Sequence, residues 1–509
     1  MVGVWADRGG YKEESPSPPC SGVCHEKTMS DFPAQQLIAG DWVAAADGRT
    51  IDVIDPATEQ PIATVPYGAA ADAEAAIDAA AKAFPEWAAK TAYQRADVLH
   101  AAATLLRERR DALAAVTTAE SGKPIAESKG EWTVVADLFD WFAEEAKRAY
   151  GRTIPAKLPG RRLMTLVQPL GVVGVITAWN FPAYNPARSI AAALAAGCTV
   201  VCRPADETPL SGFAIGAALK DAGLPAGVLN VINGAPAAMA GAMLDDQRCR
   251  KVSFTGSTEV GRLLIKQSAA TITRLALELG GNAPVIIEPD AIERVGAEAF
   301  AKAAVLARFR NAGQVCVAPQ RFYVHRDVCG AFVEAAAPIV AGYRVGPGAD
   351  AASDIGPLVN AAQRDRVEKL LSHEHGGRVV VGGKRPANRD AGYFFEPTLV
   401  ADVATNSALW REETFGPVLA VTPYDNLDEA INDANSLEAG LAAFLFTHDL
   451  NRAVHAYERL EFGMVAVNGW VPHATEGPFP GWKQSGLGAE SGPEGLHEYL
   501  EPKLVSFFV

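Results

Sequence analysis

The chain has 509 residues, of which 49% are hydrophobic and 21% charged, so it is long enough for two or more domains with large buried cores. Its formal net charge of −14 disfavours nucleic acid or an anionic membrane as a partner, because binding to phosphates needs a basic surface. No apolar stretch has the length and flanks of a membrane span, so we expect an ordinary soluble globular protein.

The first segment of the chain does not have the sequence of a folded domain or a targeting signal. Residues 1–28 are rich in Gly, Ser and Pro and lack the apolar core of a signal peptide. The acidic residues Asp7, Glu13 and Glu14 also disfavour a transit peptide. We therefore expect a disordered extension, with Met29 as a candidate natural start.

The cysteines predict a reducing compartment. There are seven, an odd number without the spacing of a disulfide framework, in a chain too large to need disulfides for stability. Cys20 and Cys24 are spaced like half of a metal site, but no second Cys or His pair accompanies them. We therefore predict a cytoplasmic protein without a metal site.

The pattern of a folded chain begins near Leu37. Two strands at 51–54 and 62–65 are predicted to pair around a turn at 56–58. After these strands, apolar residues recur at helical spacing, which predicts amphipathic helices at about 71–84, 93–108 and 132–149.

Strands and helices then alternate. The predicted order is strand 171–177, helix 186–196, strand 199–202, helix 210–222, strand 228–232 and strand 252–255. Alternation of this kind indicates βαβ units and a parallel sheet, and so a doubly wound, Rossmann-like cofactor lobe. We assign residues 29–150 and 169–281 to this nucleotide-binding lobe.

A second alternating region predicts a second α/β lobe, assigned to residues 282–475. It opens with a strand at 283–287, followed by one helix at about 293–309 that leads to Cys316. Segments 151–168 and 490–509 are strand-like and would form a small β element. Their edges could need another chain to cover them, or they could be an ordinary hairpin and tail.

Three polar side chains follow predicted elements and could serve one covalent mechanism. Cys316 follows a Gly-Gln turn, Glu278 ends a strand before two glycines, and Asn180 precedes Phe-Pro after another strand. A thiol nucleophile, a carboxylate base and an amide oxyanion donor suit acyl chemistry. Each also has an ordinary interpretation: a buried small hydrophobe, an exposed carboxylate or a turn asparagine.

A strand, glycine and helix at 254–261 form a candidate phosphate site. Gly256 would allow close backbone approach, and free N–H groups at the helix start would favour a pyrophosphate, although such a segment also occurs as an ordinary turn. Arg203 and Asp206 end a strand of the same lobe. They could bind ribose or form a surface ion pair.

The order, spacing and context of these segments, from about residue 37 to 509, resemble the aldehyde dehydrogenase superfamily. The resemblance implies that Cys316 attacks the aldehyde, that Asn180 and the Cys316 N–H hold the oxyanion, and that Glu278 activates water to hydrolyse the thioester. It implies hydride transfer to NAD, with NADP possible. The cofactor-binding residues it implies are Thr177, Trp179, Arg203, Asp206, Gly256, Ser257, Gly261, Leu279, Glu413 and Phe415.

Departures from the family pattern bear on the cofactor and on proton transfer. Arg203 stands where the family has Lys, and the short carboxylate of Asp206 predicts NAD over NADP because it would oppose a 2′-phosphate. Ser189 replaces a common Lys. The resemblance also implies a homodimer or homotetramer.

Arg188 and Arg310 resemble the substrate arginines of succinate-semialdehyde dehydrogenases. Two guanidiniums could clamp a carboxylate at the far end of a short aldehyde. Either Arg could instead pair with a protein carboxylate. Other semialdehydes, neutral aldehydes, CoA acylation and a catalytically silent member are the alternatives, and the hydrolytic base Glu278 argues against CoA acylation.

Overall fold

The computed structural model describes residues 32–509. The predicted extension at 1–28, the start at Met29 and the Cys20 and Cys24 pair lie outside these residues. The strands are, in chain order, β1 (Gln36–Ile38), β2 (Asp41–Val43), β3 (Thr50–Asp55), β4 (Gln60–Pro66), β5 (Arg152–Ile154), β6 (Arg161–Pro169), β7 (Val172–Ile176), β8 (Thr199–Arg203), β9 (Leu229–Val231), β10 (Cys249–Thr255), β11 (Arg274–Glu278), β12 (Ala283–Ile287), β13 (Pro319–His325), β14 (Arg378–Val381), β15 (Thr398–Ala401), β16 (Val418–Tyr424), β17 (Ala439–Gly440), β18 (Ala442–Phe446), β19 (Met464–Val467), β20 (Phe479–Pro480), β21 (Trp482–Lys483), β22 (Gly486–Leu487), β23 (Ala489–Glu490) and β24 (Leu500–Phe508).

Long helices pack against these strands. They are α1 (Ala70–Ala89), α2 (Ala92–Glu108), α3 (Arg110–Ser121), α4 (Ile125–Ala146), α5 (Tyr184–Ala196), α6 (Leu210–Asp221), α7 (Pro236–Asp245), α8 (Thr258–Ser268), α9 (Pro289–Val295), α10 (Ala297–Phe309), α11 (Arg326–Ala341), α12 (Ala361–Ser372), α13 (Ala408–Arg411), α14 (Leu427–Asn435), α15 (Leu450–Arg459) and α16 (Gly492–His497).

The first sheet has the strand order β2-β1-β9-β8-β7-β10-β11-β22. Its central strands, β9 to β11 in this order, are parallel, and β1, β2 and β22 add antiparallel edges. Every residue of β7 and β8 is buried, which explains their continuous apolar sequences. The order of the strands reverses between β7 and β10, and ligands bind at such reversals in doubly wound sheets.

The second sheet has the order β14-β15-β16-β13-β12-β18-β19 and is parallel except for β14. Both α/β lobes of the predicted fold class are therefore confirmed. Within residues 32–509, no helix combines the length and apolar character needed to cross a bilayer. The same residues contain no group of three or more His, Cys, Asp or Glu side chains placed to hold a metal ion.

A small third sheet has the order β24-β6-β5, all antiparallel. The C-terminal strand β24 pairs with β6 along all nine of its residues. Leu504 and Phe508 on β24 are 61% and 69% exposed. The predicted strand-like segments therefore pair with each other and leave an apolar edge.

One predicted helix is wrong in its continuity. The segment predicted as a single helix at about 293–309 contains the end of α9 and the whole of α10, which meet at Gly296. Gly296 has a φ of 86°, a left-handed conformation that ends α9 and that favours glycine. Helix α3 was not predicted.

Candidate active site

A left-handed turn between α10 and β13 sets the position of Cys316. Asn311 and Ala312 have φ values of 49° and 53°, and Gly313 has a φ of 74°. A Cβ atom at Gly313 would overlap the carbonyl oxygen of Gly416, so only glycine fits here. Two consecutive non-glycine residues with positive φ are unfavourable, which means that surrounding bonds must hold this turn.

Those bonds come from the loop that carries Asn180. Asn180 Nδ2 donates to the Gln314 carbonyl oxygen at 3.1 Å, and Asn311 Nδ2 donates to the Asn180 carbonyl oxygen at 2.8 Å. Asn185 Nδ2 donates to Asn180 Oδ1 at 3.1 Å, which fixes the orientation of the Asn180 amide. The Asn180 loop and the Cys316 loop are therefore joined. Among the described residues, one amide hydrogen of Asn180 has no acceptor and is left for a ligand.

A buried ion pair between Lys123 and Glu131 holds the Asn180 loop in place. Lys123 Nζ lies 2.5 Å from Glu131 Oε2, and both side chains are 1% exposed. Lys123 also donates to the Asn180 carbonyl oxygen at 2.9 Å, while Glu131 Oε1 accepts the N–H groups of Ala183 and Tyr184. Every charge in this pair is thus hydrogen bonded, as burial requires.

Glu278 stands at the end of β11, where two glycines allow close packing. A Cβ at Gly281 would overlap the Cys316 carbonyl oxygen, and a Cβ at Gly280 would lie 2.8 Å from Glu413 Oε2. Gly281 therefore lets the Glu278 and Cys316 segments approach one another, and Gly280 makes room for the Glu413 carboxylate. Glu278 and Cys316 line the same cleft.

The environment of Glu278 suits a general base. Burial raises its pKa to about 7, while the nearby Arg188 guanidinium opposes the shift and Glu490 adds to it. Oε2 accepts a hydrogen bond from Arg188 Nη2, whereas Oε1 is buried and has no hydrogen-bond partner among the described residues. Oε1 is therefore available to accept a proton from a ligand or a water molecule.

Cys316 is the partly exposed member of the five described free cysteines, and the other four are buried. Burial and the Glu278 carboxylate raise the pKa of the Cys316 thiol, and the Arg188 guanidinium opposes them. The resting side chain is therefore the thiol. Attack on a carbonyl carbon needs the thiolate, so the thiol proton must leave before the covalent step.

A cleft of about 920 Å³ reaches Cys316, Glu278 and Asn180 at the carboxyl ends of β7, β10 and β11. This is the side of the sheet where the strand order reverses. Predicted cofactor residues in its wall are Trp179, Gly256, Ser257, Leu279, Glu413 and Phe415.

Two more of the predicted cofactor residues lie behind this wall. Thr177 is 5% exposed, and its hydroxyl has no partner among the described residues. Gly261 lies in α8, where a Cβ would overlap the Leu279 side chain. Ser257 caps α8 by accepting from the Val260 N–H at 3.3 Å. Ser257 and Thr258 line the cleft, so the start of this helix faces it.

The far wall of the cleft carries Glu413 and Phe415. The Phe415 and Trp179 rings meet edge to face, with centroids 5.4 Å apart. Glu413 Oε1 accepts the Gly281 N–H at 3.1 Å, and burial raises the pKa of Glu413 to about 7. An aromatic edge and a carboxylate beside a glycine-lined floor suit a flat ring with an attached ribose.

Arg203 and Asp206 are paired with each other and do not line the cleft. Arg203 Nη2 donates to Asp206, and its Nε and Nη2 also donate to the Gly234 carbonyl oxygen at 3.2 and 2.9 Å. The Asp206 side chain remains 24% exposed. The ion pair that was the alternative interpretation is present, and a ribose contact stays a prediction.

The two arginines proposed for the substrate lie in different surroundings. Arg188 is 1% exposed and its Nη2 binds Glu278 and, at 2.9 Å, Glu490. Its Nε and Nη1 are buried without a partner among the described residues. The guanidinium lies 4.8 Å from the Tyr184 ring centroid and 4.6 Å from that of Phe479.

Arg310 is half-buried and makes no hydrogen bond or ion pair with any other residue in 32–509. Its guanidinium lies 5.4 Å from the Phe181 ring centroid. It lines a small cavity whose wall includes Val315 and Val317, the neighbours of Cys316 in sequence. This cavity and the large cleft therefore reach the cysteine loop separately.

Several residues of the site were missed by sequence reasoning. Lys123 and His473 stand outside every motif, and no local pattern marks them. Gln363 and Arg366 line the cleft from α12. Glu490 is bonded to Arg188 and to the Ser189 hydroxyl, but in the sequence it is only the last residue of Gly-Ala-Glu.

Comparison with known proteins gives matches over almost the whole chain. A family model described as the aldehyde dehydrogenase family matches residues 42–505. Succinate-semialdehyde dehydrogenase (NADP+) GabD of Escherichia coli strain K12 is 43% identical over 474 residues, which cover 93% of this chain and 97% of that protein. Glutarate-semialdehyde dehydrogenase of Pseudomonas putida is 42% identical over 482 residues, with 94% and 98% covered.

A solved structure has the same architecture. The betaine aldehyde dehydrogenase of Staphylococcus aureus in complex with NAD+ superposes with a TM-score of 0.90 at 35% identity. The match covers 94% of this chain and 95% of that one.

Proposed function

Because the chain belongs to the aldehyde dehydrogenase family and is therefore an oxidoreductase acting on aldehydes, we propose that its substrate is a short aldehyde with a distal carboxylate. Succinic semialdehyde is the best candidate. The observation that carries this proposal is Arg310, a cation without an ion pair among the described residues, in a cavity beside the Cys316 loop. A carboxylate is the natural partner for such a guanidinium.

The large cleft fits a nicotinamide dinucleotide. The glycines of its floor allow a ligand to approach the backbone closely. The start of α8 offers a phosphate site, and the Glu413 carboxylate can accept hydrogen bonds from a ribose. When bound, the nicotinamide accepts the hydride that leaves the substrate carbon.

The Escherichia coli relative is named for NADP+ and the Staphylococcus aureus structure contains NAD+. The Asp206 carboxylate, which stays partly exposed in its pair with Arg203, favours NAD here.

The acylation step belongs to Cys316. Loss of the thiol proton to solvent gives the thiolate, which attacks the aldehyde carbon. The free Nδ2 hydrogen of Asn180 and the Cys316 N–H stabilise the oxyanion. Departure of hydride then leaves a thioester on Cys316.

Deacylation belongs to Glu278. Its Oε1, buried without a protein partner among the described residues, accepts a proton from the attacking water, while Arg188 holds Oε2. Hydrolysis of the thioester releases the carboxylic acid and restores the thiol. A CoA-acylating enzyme would have no need of this base.

The charges near the site argue for a carboxylate substrate. Within residues 32–509, Arg310 makes no ion pair. In the same range Nε and Nη1 of Arg188 have no hydrogen-bond partner, although its Nη2 is shared by Glu278 and Glu490. The relatives from Escherichia coli and Pseudomonas putida are both named for semialdehydes of dicarboxylic acids. We therefore assign the main substrate contact to Arg310, with Arg188 as its partner near the base.

A kinetic screen tests the proposal. Succinic, glutaric and malonic semialdehydes should be compared with butanal and benzaldehyde, each with NAD and with NADP, and kcat/KM measured for every pair. A preference for a four- or five-carbon semialdehyde with NAD is expected. Equal or better use of butanal would refute the distal carboxylate, and a clear preference for NADP would refute the argument from Asp206.

We also infer a cytoplasmic homodimer or homotetramer. The five cysteines within residues 32–509 are free thiols, which suits a reducing compartment. The exposed apolar edge of β24 suits pairing between subunits.

A further inference from the structure

Arg308, near the end of α10, is a buried charge that the proposed mechanism does not use. Its side chain is fully buried, and no carboxylate among the described residues forms an ion pair with it. Burial lowers the pKa of the guanidinium to about 9, so the group is still charged at neutral pH. Burial of a charge is unfavourable unless hydrogen bonds compensate it, so the partners of Arg308 show what it holds.

Three backbone carbonyl oxygens accept the hydrogen bonds of Arg308. Nε donates to Val418 at 2.6 Å and Nη2 to Gly416 at 2.7 Å. Nη1 donates to Gly313 at 3.5 Å. Gly313 belongs to the left-handed turn of the cysteine loop, and Gly416 follows Phe415 in the far wall of the cleft. One guanidinium therefore joins the cysteine loop to the wall segment, residues 413–418.

The wall segment is strained and fits closely against the cysteine loop. Phe415 has a φ of 49°, which is unfavourable for a residue with a bulky side chain, so neighbouring bonds must hold it. Gln363 Nε2 donates to the Phe415 carbonyl oxygen at 2.7 Å, and Arg308 binds the carbonyl oxygens of residues that follow. A Cβ atom at Gly313 would overlap the Gly416 carbonyl oxygen and lie 3.1 Å from Arg308 Nη1.

The charge of Arg308 also acts on Glu413, the ribose acceptor of the proposed cofactor site. Burial raises the pKa of Glu413 to about 7, and Glu259 on α8 adds to the rise. The Gly281 N–H, Arg366 on α12 and Arg308 oppose it. Arg366 is exposed, so solvent screens its charge, whereas Arg308 is fully buried.

We propose that Arg308 is a positioning residue for the oxidation, which holds the cysteine loop against the wall segment and keeps the Glu413 carboxylate ionised for the cofactor ribose. The inference rests on the dinucleotide site proposed above and is independent of which aldehyde is oxidised. Arg308 lines neither the cleft nor the Arg310 cavity. Its loss should therefore weaken cofactor binding and slow hydride transfer equally for every aldehyde.

Equilibrium binding of NAD tests the electrostatic role. Protein fluorescence is measured from about pH 6 to about pH 9 in the Glu278→Gln variant, because Glu278 lines the same cleft and also has a pKa of about 7. The Cys316 thiol stays neutral over this range because its pKa is raised. Affinity should be highest above pH 7 and fall up to about tenfold per pH unit below it, as Glu413 becomes protonated.

Two substitutions in this background separate the charge from the side chain. Arg308→Met should move the fall in affinity to higher pH and raise Kd for NAD at pH 7 by roughly 10- to 150-fold, the worth of a hydrogen bond to a charged group. Arg308→Lys keeps the charge, so the fall should stay at the pH of the parent. The titrations are repeated with NADP, whose nicotinamide ribose is identical.

Rapid mixing tests the positioning role in the same background, where only the first turnover takes place. With saturating NAD, Arg308→Met should slow the burst of reduced cofactor by about 100-fold, the effect of a displacement of about 1 Å between reacting groups. Arg308→Lys keeps a donor but loses the fork of the guanidinium, so it should restore part of this rate. Succinic semialdehyde and butanal should be affected equally.

Arg95→Met is the matched control. The Arg95 guanidinium on α2 is also desolvated and donates to backbone carbonyl oxygens, those of Ala195 at 3.0 Å and Lys90 at 2.5 Å. Neither of these acceptors lines the cleft. Arg95→Met should lower Tm but leave the affinity for NAD, its pH dependence and the burst rate unchanged.

Parent values of Kd and burst rate in Arg308→Met would overturn the inference, and so would equal effects of Arg308→Met and Arg95→Met. If Arg308→Met does not fold, Arg308→Lys decides alone. An affinity that falls at higher pH than in the parent, or a burst as fast as that of the parent, would then contradict it. A wild type that prefers butanal refutes the distal carboxylate and leaves the role of Arg308 in place, so the two failures are distinguishable.

Discussion

At the scale of single residues, the bond between Arg188 and Glu278 determines the acidity of the base. Burial raises the pKa of Glu278 to about 7, and the Arg188 guanidinium limits the rise. The base must be ionised to work, so deacylation should slow as pH falls through about 7 and be fastest above it.

The Arg188→Gln variant should move this acid limb to higher pH, because the charge that lowers the Glu278 pKa is lost. The profile is measured with butanal, so that loss of a carboxylate contact does not interfere. An acid limb that stays where it is in the wild type would show that Arg188 does not act on the base.

Glu278 and Cys316 have separable roles. The Glu278→Gln variant should give a burst of reduced cofactor on the first turnover and then stall, because deacylation needs the carboxylate. Cys316→Ala should give no burst and still bind the cofactor. Rapid-mixing absorbance at the reduced-nicotinamide band measures both, and full steady-state turnover by Glu278→Gln would remove it from this role.

At the scale of elements, the strands that carry the site were predictable because their sequences are unambiguous. Continuous buried runs identified β7, β8 and β12. The segment after β7 located Asn180, and the last residue of β11 before two glycines located Glu278. The broken helix was missed because α9 and α10 share one apolar pattern, and only Gly296 marks the break.

Contacts made across the fold could not be predicted in the same way. Lys123, Glu490 and His473 reach the site from distant parts of the chain, and no local pattern pairs them with Asn180, Arg188 or Arg310. The pair between Arg188 and Glu278 depends on how α5 packs beside β11, which a sequence pattern does not specify.

The left-handed turn before Cys316 can be tested as a unit. Gly313→Ala should destabilise the protein by more than the roughly 1–2 kcal/mol of a left-handed non-glycine residue, because its Cβ would also overlap the Gly416 carbonyl oxygen. Displacement of Cys316 by about 1 Å should lower kcat by about 100-fold.

Gly48→Ala is the matched control for this turn. Gly48 has a φ of 73°, but a Cβ there would meet no atom within 4 Å. It should therefore show only the backbone cost and full activity. Thermal unfolding and kcat measure the two effects, and equal behaviour of both variants would mean that the turn does not position the cysteine.

At the scale of the whole molecule, the small sheet has an uncovered edge. Leu504 and Phe508 expose apolar surface on β24, and the outer side of this strand has no neighbour within the described residues. Such edges favour association between chains. We expect a dimer or tetramer in sedimentation velocity at micromolar concentration.

The double variant Leu504→Lys/Phe508→Lys should shift this assembly toward the monomer. Leu450→Lys is the control, because Leu450 is 76% exposed on α15, away from the small sheet. A wild type that sediments as a monomer, or an assembly indifferent to the double variant, would contradict the role of β24.

The central claim, that the enzyme oxidises an aldehyde with a distal carboxylate, is tested most directly by Arg310→Leu. Loss of one partner of a desolvated charge pair costs about 2–5 kcal/mol, so kcat/KM for succinic semialdehyde should fall by roughly 30-fold to several thousand-fold. The value for butanal should change little. The exposed Arg326→Leu serves as the control. An equal fall for both aldehydes, or no fall for either, would contradict the claim.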